Sequence, residues 1–381
     1  MNAGKSHTAF RLIRLVALVP VAAMSVFFAV AGETYSVALL GDTHFDAEPE
    51  SVYHANLDET QRKAEWRHRE FRRNGEMWRE GGRSPSLVAA SAALAEANPA
   101  TRFVLQLGDL VQGDCDDPAT HRRMLDDAVR AIRSPYPGHL PFITVMGNHD
   151  VRGLGAREAY LDWAESFLSA ELGRHAAYPV VSFETGGDLW LLCDFEAADF
   201  DCLADEIDSH PDARFVFLVT HGPFTAPDSP SWKWRLGGKV SPEKRGRLMQ
   251  ALSRRNAIVL SGHKHTTAYY RHANETGGFS EMTVNSVWTK PALATAEPVH
   301  DRPEQYGTYS RERIPQEKRE RYDSDIAEWR ACLVDYFFSP AAGHYRLDIS
   351  DDGVTCAFYP GDARVPGRVF RLAEKRPKTS P

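Results

Sequence analysis

The sequence predicts an α/β fold on a mainly parallel central sheet, and three observations carry that expectation. Five short apolar runs rich in β-branched and aromatic residues, at 35–40, 102–107, 141–146, 214–220 and 257–261, each stop at a turn containing glycine. Runs of this length bounded by turn residues read as buried strands. Stretches of helical composition lie between them, among them 86–97, behind the cap signal Ser84-Pro85, and 121–132. Near the C-terminus the pattern changes: 344–349 and 354–359 flank Ser350-Asp351-Asp352-Gly353, which reads as a β-hairpin with an Asp-Gly turn. A lone hairpin is not stable, so this one is expected to add strands to a second sheet packed on the first.

A chain of 381 residues, 43% of them hydrophobic, can bury a large core without disulfide staples. No repeat and no long Gly/Ser- or Pro-rich linker interrupts 35–360, so residues 32–370 are expected to form one domain with a tail at 371–381. The first 31 residues differ. Lys5, Arg11 and Arg14 precede an apolar stretch at 15–30, and Ala29-Val30-Ala31 is a small-x-small cleavage signal. The three-part pattern predicts an export signal peptide at 1–31, a mature chain starting at Gly32, and a periplasmic or secreted location. Left uncleaved, the same stretch would be a membrane anchor, and only then is a stable membrane partner expected. Loss of its three basic residues takes the net charge from −7 to −10. A domain this acidic disfavours nucleic acid as a partner, because phosphate-backbone binding needs a concentrated basic surface. The five cysteines show no C-x-x-C spacing, which argues against a cysteine-ligated zinc. An exported chain can oxidise one or two pairs, and Cys193 and Cys202 are the nearest in sequence.

The five runs end, in chain order, in Gly41-Asp42-Thr43-His44, Gly108-Asp109, Gly147-Asn148-His149-Asp150, His221-Gly222 and Gly262-His263-Lys264-His265. In open α/β sheets the ligand crevice lies at the carboxyl ends of the strands, so the five endings are expected to converge. Asp42 and His44 are two apart, and on an extended turn their side chains point the same way. Oxygen together with imidazole suits Mn, Fe or Zn. Asp109 has two oxygens with which to bridge two ions, Asn148 offers a neutral amide oxygen, and His221, His263 and His265 offer ring nitrogens. Two divalent ions bring four positive charges against two from Asp42 and Asp109, so the loaded site stays cationic and attracts a phosphate anion. Small phosphate esters are therefore the expected partners.

The ordered set Gly-Asp-x-His, Gly-Asp, Gly-Asn-His-Asp, His-Gly and Gly-His-x-His, over residues 41–265, resembles the calcineurin-like metallophosphoesterase superfamily. The resemblance implies a four-layer αββα sandwich, two mixed β-sheets flanked by helices, with a dinuclear metal site at the strand ends. Carried over by motif position, Asp42, His44, Asp109 and His265 would hold one ion; Asp109, Asn148, His221 and His263 would hold the other. His149 would be the catalytic histidine that is not a ligand, with Asp150 as its orienting partner. The chemistry implied is in-line attack on phosphorus by a metal-activated hydroxide, with the two ions roughly 3.5–4 Å apart.

Departures from the subfamilies narrow this expectation. Gln112-Gly113-Asp114 stands where Ser/Thr protein phosphatases carry Asp-Arg-Gly, and Gln112 stands where purple acid phosphatases place a tyrosine ligand. Asp150-Val151-Arg152 departs from the Glu-Phe-Asp of exported 5′-nucleotidases. A non-catalytic scaffold on this fold would lose His or Asp ligands, and this chain lacks none. The arginine-rich stretch 61–83 reads either as a solvated helix with pairs such as Glu65 and Arg69 or as a basic flap over the substrate phosphate. Trp232 and Trp234, in the 231–238 loop, either pack that loop down or stack a base or sugar.

Overall fold

The computed structural model describes residues 32–47, 49, 51–55, 65–227, 241–285, 287 and 300–374. The expected signal peptide at 1–31 and the 231–238 loop lie outside the described residues. In chain order the first half contains β1 (Tyr35–Leu40), α1 (Ser51–His54), α2 (Glu65–Trp78), α3 (Arg83–Ala97), β2 (Thr101–Gln106), α4 (Pro118–Arg133), β3 (Phe142–Thr144) and α5 (Ala156–Leu172). There follow β4 (Val180–Thr185), β5 (Asp188–Cys193), α6 (Phe200–Ser209), β6 (Val216–Val219), α7 (Pro242–Arg255), β7 (Ile258–Ser261), β8 (Thr267–Asn274) and β9 (Gly277–Thr283). The chain then runs through α8 (Thr308–Arg311), α9 (Arg319–Cys332), β10 (Leu333–Ser339), β11 (Gly343–Ser350), β12 (Gly353–Pro360) and β13 (Arg368–Glu374).

These strands form two mixed sheets, as the family resemblance implied, and not the single mainly parallel sheet that the alternation of strands and helices suggested. One has the order β13-β12-β11-β1-β2-β3, the other β10-β8-β9-β7-β6-β5-β4. The runs that carry the motifs do pair parallel, β1 with β2, β2 with β3 and β6 with β7, and β5 adds a further parallel pair with β6. The antiparallel part of the first sheet comes from the β11–β12 hairpin. Its turn is as expected, but it joins β1 on the first sheet (Tyr35 opposite Ile349) and not a second one. The open edge of β1 needed a partner, and Tyr345, Leu347 and Ile349 supply buried side chains at every second residue. Strand β13 pairs with β12 and carries ordered structure to Glu374, past the expected domain edge at 370.

The short apolar runs stay buried on both faces because each face packs a different layer. In β5, Trp190 and Leu192 enter the core between the sheets, whereas Leu189, Leu191 and Cys193 face the outer core with α6, α7 and α9. Strand β6 repeats the alternation, Phe217 and Val219 inward and Val216 and Leu218 outward. Across the inter-sheet core, the Phe103 ring of β2 meets the Trp190 ring of β5 edge-on at 5.1 Å, and Trp190 stacks on Phe217 at 3.9 Å. Helices α3, α4 and α5 supply Leu87, Met124, Leu125 and Leu168 to the core of the first sheet, which gives four layers in all.

Two helix starts fall earlier than the sequence reading. Asp117 caps α4, accepting from the N–H groups of Ala119 and Thr120 at 2.8 and 2.9 Å with Pro118 at the first position, so the helix begins before 121. Ser84 and Pro85 lie inside the first turn of α3, where proline's missing N–H leaves no helix bond unmade. All five cysteines are free, so Cys193 and Cys202 are not paired. Among the described residues no helix is long and apolar enough to cross a membrane.

Candidate metal centre

Strands β1, β2 and β3 of one sheet and β6 and β7 of the other deliver their following turns to one place, and those turns are conformationally unusual. His44, Asp109, His263 and His265 have positive φ values of 41°, 51°, 69° and 49°. Non-glycine residues held in this left-handed region cost about 1–3 kcal/mol each, and persist where surrounding structure dictates them. Here the dictating contacts are visible. The N–H groups of Thr43 and His44 both donate to the Asp109 carbonyl, at 3.0 and 2.9 Å. The His263 N–H donates to Asp42 Oδ1 at 2.9 Å. Two motif glycines allow the loops to interlock: a Cβ on Gly147 would overlap the Asp109 backbone nitrogen and Oδ1, and one on Gly262 would overlap Asp42 Oδ1.

The side chains form overlapping groups. Asp42, His44 and His265 offer donor atoms within 4.8 Å of one another, and so do Asp109, His221 and His263; His44 and Asp109 also group with His149, between these two. In the first, His265 Nε2 lies 2.8 Å from Asp42 Oδ2 and 3.1 Å from His44 Nε2. In the second, His221 Nε2 lies 3.2 Å from both Asp109 Oδ2 and His263 Nδ1. Asp109 joins the two, because the same Oδ2 is also 3.7 Å from His44 Nε2. Asn148 sits beside them with a buried Oδ1 that has no hydrogen-bond partner. Asp42 Oδ2 is likewise buried without a hydrogen-bond partner, with His265 Nε2 2.8 Å away. Buried acceptors left in this state cost about 1–3 kcal/mol each, and a cation would satisfy both. The residues present therefore fit the metal ions expected from the sequence, with oxygen and imidazole donors suited to Mn, Fe or Zn.

Outer contacts aim the rings. His221 Nδ1 meets the Leu107 carbonyl at 2.8 Å, which makes Nδ1 the donor and leaves Nε2 for a metal. Burial opposes a charge on His221, but the Asp109 carboxylate outweighs it and pushes the imidazole up to about 9. Burial likewise opposes the Asp109 anion, and the charges of His221 and His149 outweigh that and hold the carboxyl well below its usual range. Burial first and then the charge of His149 hold His44 well below its ordinary value. A neutral imidazole is the form that ligates.

His149 stands at the edge of the cluster, its ring 4.4 Å from that of His44. Its backbone N–H donates to Asp109 Oδ1 at 2.7 Å and its Nδ1 meets the Gln112 carbonyl at 2.9 Å. Asp150 does not orient it, which corrects the sequence expectation. The Asp150 carboxylate is turned under the loop, where Oδ1 accepts from the Val111 N–H at 3.0 Å and Oδ2 from the Gly147 N–H at 2.8 Å. The tight turn at 147–150 sends consecutive side chains to opposite sides, and Asp150 braces the β2 and β3 loops from behind. Burial, then the Asp109 charge, push its carboxyl up to about 7.

The structure also brings in residues that the sequence reading did not assign. Arg152 Nη1 is 3.2 Å from His149 Nε2. Its Nε pairs with Asp114 Oδ2 at 2.6 Å and its Nη2 with Glu70 Oε2 at 3.3 Å. Glu70 comes from α2, which is neither a solvated helix nor a loose basic flap. Phe71, Asn74 and Trp78 are buried, and Trp78 Nε1 donates to the Thr43 carbonyl at 2.8 Å. Gln112 is engaged with this helix through Asn74 and Glu70. Of the arginines of 61–83, Arg67 reaches Asp114 at 3.6 Å, but it is the acid at position 70 that meets Arg152 beside His149. Only its helical spacing from Asn74 and Trp78 could have signalled it.

The calcineurin-like phosphoesterase family model matches residues 35–267. No curated protein matches the sequence. Among solved structures, the purple acid phosphatase PPD1 from yellow lupin (Lupinus luteus) seeds is similar with a TM-score of 0.52 at 12% identity, over 90% of this chain and 54% of that one. PhoD is similar with a TM-score of 0.51 at 10% identity, over 90% of this chain and 69% of that one. At these identities the likeness is one of fold.

Proposed function

This chain belongs to the calcineurin-like phosphoesterase family, and on that premise we propose that it is an exported hydrolase of phosphate mono- or diesters with a dinuclear metal centre. One observation carries the reading: two groups of three metal-binding side chains adjoin each other and share the reach of Asp109. Asp42, His44, Asp109 and His265 would hold one ion, and Asp109, Asn148, His221 and His263 the other. When bound, two such ions supply a nucleophilic water at neutral pH and positive charge for the phosphoryl oxygens. The chain's own residues do the rest. His149, with Nδ1 committed to the Gln112 carbonyl, keeps Nε2 as the atom that handles the proton of the leaving oxygen. Asp150 keeps the loop carrying Asn148 and His149 in register with Asp109.

The test compares p-nitrophenyl phosphate with its bis ester, using protein from Gly32 onward with Mn²⁺ and with EDTA. Turnover of at least one ester, lost with EDTA and restored by Mn²⁺, is the expected result; turnover unaffected by EDTA would sink the two-metal reading. No turnover with two metals bound would point to a scaffold. Export is supported by Lys5, Arg11 and Arg14 ahead of the apolar stretch and by Ala29-Val30-Ala31. N-terminal sequencing of protein recovered from the producing cells should begin at Gly32, and an intact Met1 on a membrane-bound fraction would overturn the cleavage.

A further inference from the structure

We propose that Arg152 binds the phosphoryl group of the substrate and that Glu70, carried by α2, together with Asp114, positions it. This rests on the phosphoesterase reading above. Arg152 approaches the cluster from the His149 side, its Nη1 3.2 Å from His149 Nε2, the ring atom that the Gln112 contact leaves as acceptor. A guanidinium recruited only for stability would spend its donors on carboxylates and carbonyls. This one spends Nε on a carboxylate and Nη2 on a carboxylate and the Gln112 carbonyl at 3.5 Å, but turns Nη1 toward an imidazole next to the metal-binding residues. Nη1 carries two N–H groups, and a single imidazole nitrogen accepts only one. A phosphoryl oxygen beside His149 would exchange an N–H···N contact for a charge-assisted N–H···O⁻ bond, the stronger of the two.

Two acids share the positioning. Asp114 is 3% exposed and has a second cation, Arg67, at 3.6 Å from Oδ1, so its charge is balanced even when Arg152 turns to a substrate. Glu70 is fixed because α2 is fastened to the loops after both β1 and β2, by Trp78 on the Thr43 carbonyl and Asn74 on Gln112. The arginine-rich insertion thus acts on the phosphate indirectly, through a glutamate that sets the angle of an arginine 82 residues away.

Calorimetric titration of inorganic phosphate into the metal-loaded protein tests this without relying on turnover. Arg152→Met should weaken phosphate binding about 10- to 100-fold, the scale of a hydrogen bond between charged groups. Arg152→Lys keeps a cation beside Asp114, which protects the fold, but loses the planar fork; it should weaken phosphate about 10-fold with metal content unchanged. Glu70→Gln should weaken it a few-fold in the wild-type background and have no further effect on Arg152→Met, as coupled residues do. Folded, metal-loaded Arg152→Lys and Arg152→Met proteins that bind phosphate within twofold of wild type would overturn the proposal, as would a wild type that binds no phosphate. If wild type hydrolyses neither ester while phosphate binding still depends on Arg152, the proposal stands and the phosphoesterase reading falls.

Discussion

Asp109→Ala is expected to leave the protein folded but with less than about one metal ion per chain, and to lower ester turnover by at least about 10³-fold. Three contacts set the size of this effect. One carboxylate oxygen is 3.2 Å from His221 Nε2 and 3.7 Å from His44 Nε2, and the other accepts from the His149 N–H at 2.7 Å. Alanine removes the atom common to both groups of donors and releases the loop that carries His149. A missing metal clamp forfeits several kcal/mol of transition-state stabilisation, and about 4 kcal/mol corresponds to the factor given. Metal analysis by mass spectrometry alongside turnover is decisive, because two tightly held ions in the variant would remove Asp109 from the centre. Asp109→Asn separates charge from shape: the amide keeps an oxygen for a metal or for the His149 N–H but cannot serve both groups with charge.

His149→Ala should do the opposite to the metals. Metal content is expected to stay near two ions per chain while kcat falls about 10²- to 10⁴-fold, the range for loss of a general acid or base. His149 lies within reach of His44 and Asp109, but its ring is held from the side by the Gln112 carbonyl and Arg152, and the proposed ligand sets do not need it. A leaving-group series sharpens the measurement. If His149 protonates the leaving oxygen, p-nitrophenolate, which needs little protonation, should suffer less than an alkyl leaving group. Full activity in His149→Ala, or equal loss across the series, would rule out that role.

Much of the framework was legible because the relevant signals are local. The run 35–40 is β1 residue for residue, and the runs at 214–220 and 257–261 contain β6 and β7. Strand β3 is only Phe142–Thr144, because its pairing with β2 ends where the chain turns toward the cluster. The sheet architecture was less legible. Strands β8 to β10 mix tyrosine, histidine and charged residues, because buried polar groups there find partners, as His272 and Glu281 both do on Thr225, and no apolar run marks them. The hairpin 343–360 was legible as a hairpin, but its partner was not, because an apolar alternation names a face and not a neighbour.

By itself the sequence determined the identity and order of the candidate donor residues, Asp42, His44, Asp109, Asn148, His221, His263 and His265, and their location at strand ends. Each is written within a few residues of an apolar run and a turn, and short-range chemistry suffices to read it. The tertiary structure alone decided which donors adjoin: His263 beside His221, and His265, two residues on, beside Asp42 and His44. It also turned Asp150 away from His149 and brought Glu70 to Arg152. Those outcomes depend on left-handed backbone turns and on contacts between elements far apart in the chain. Such contacts follow from how the two sheets and α2 pack, and no local period in the sequence encodes them.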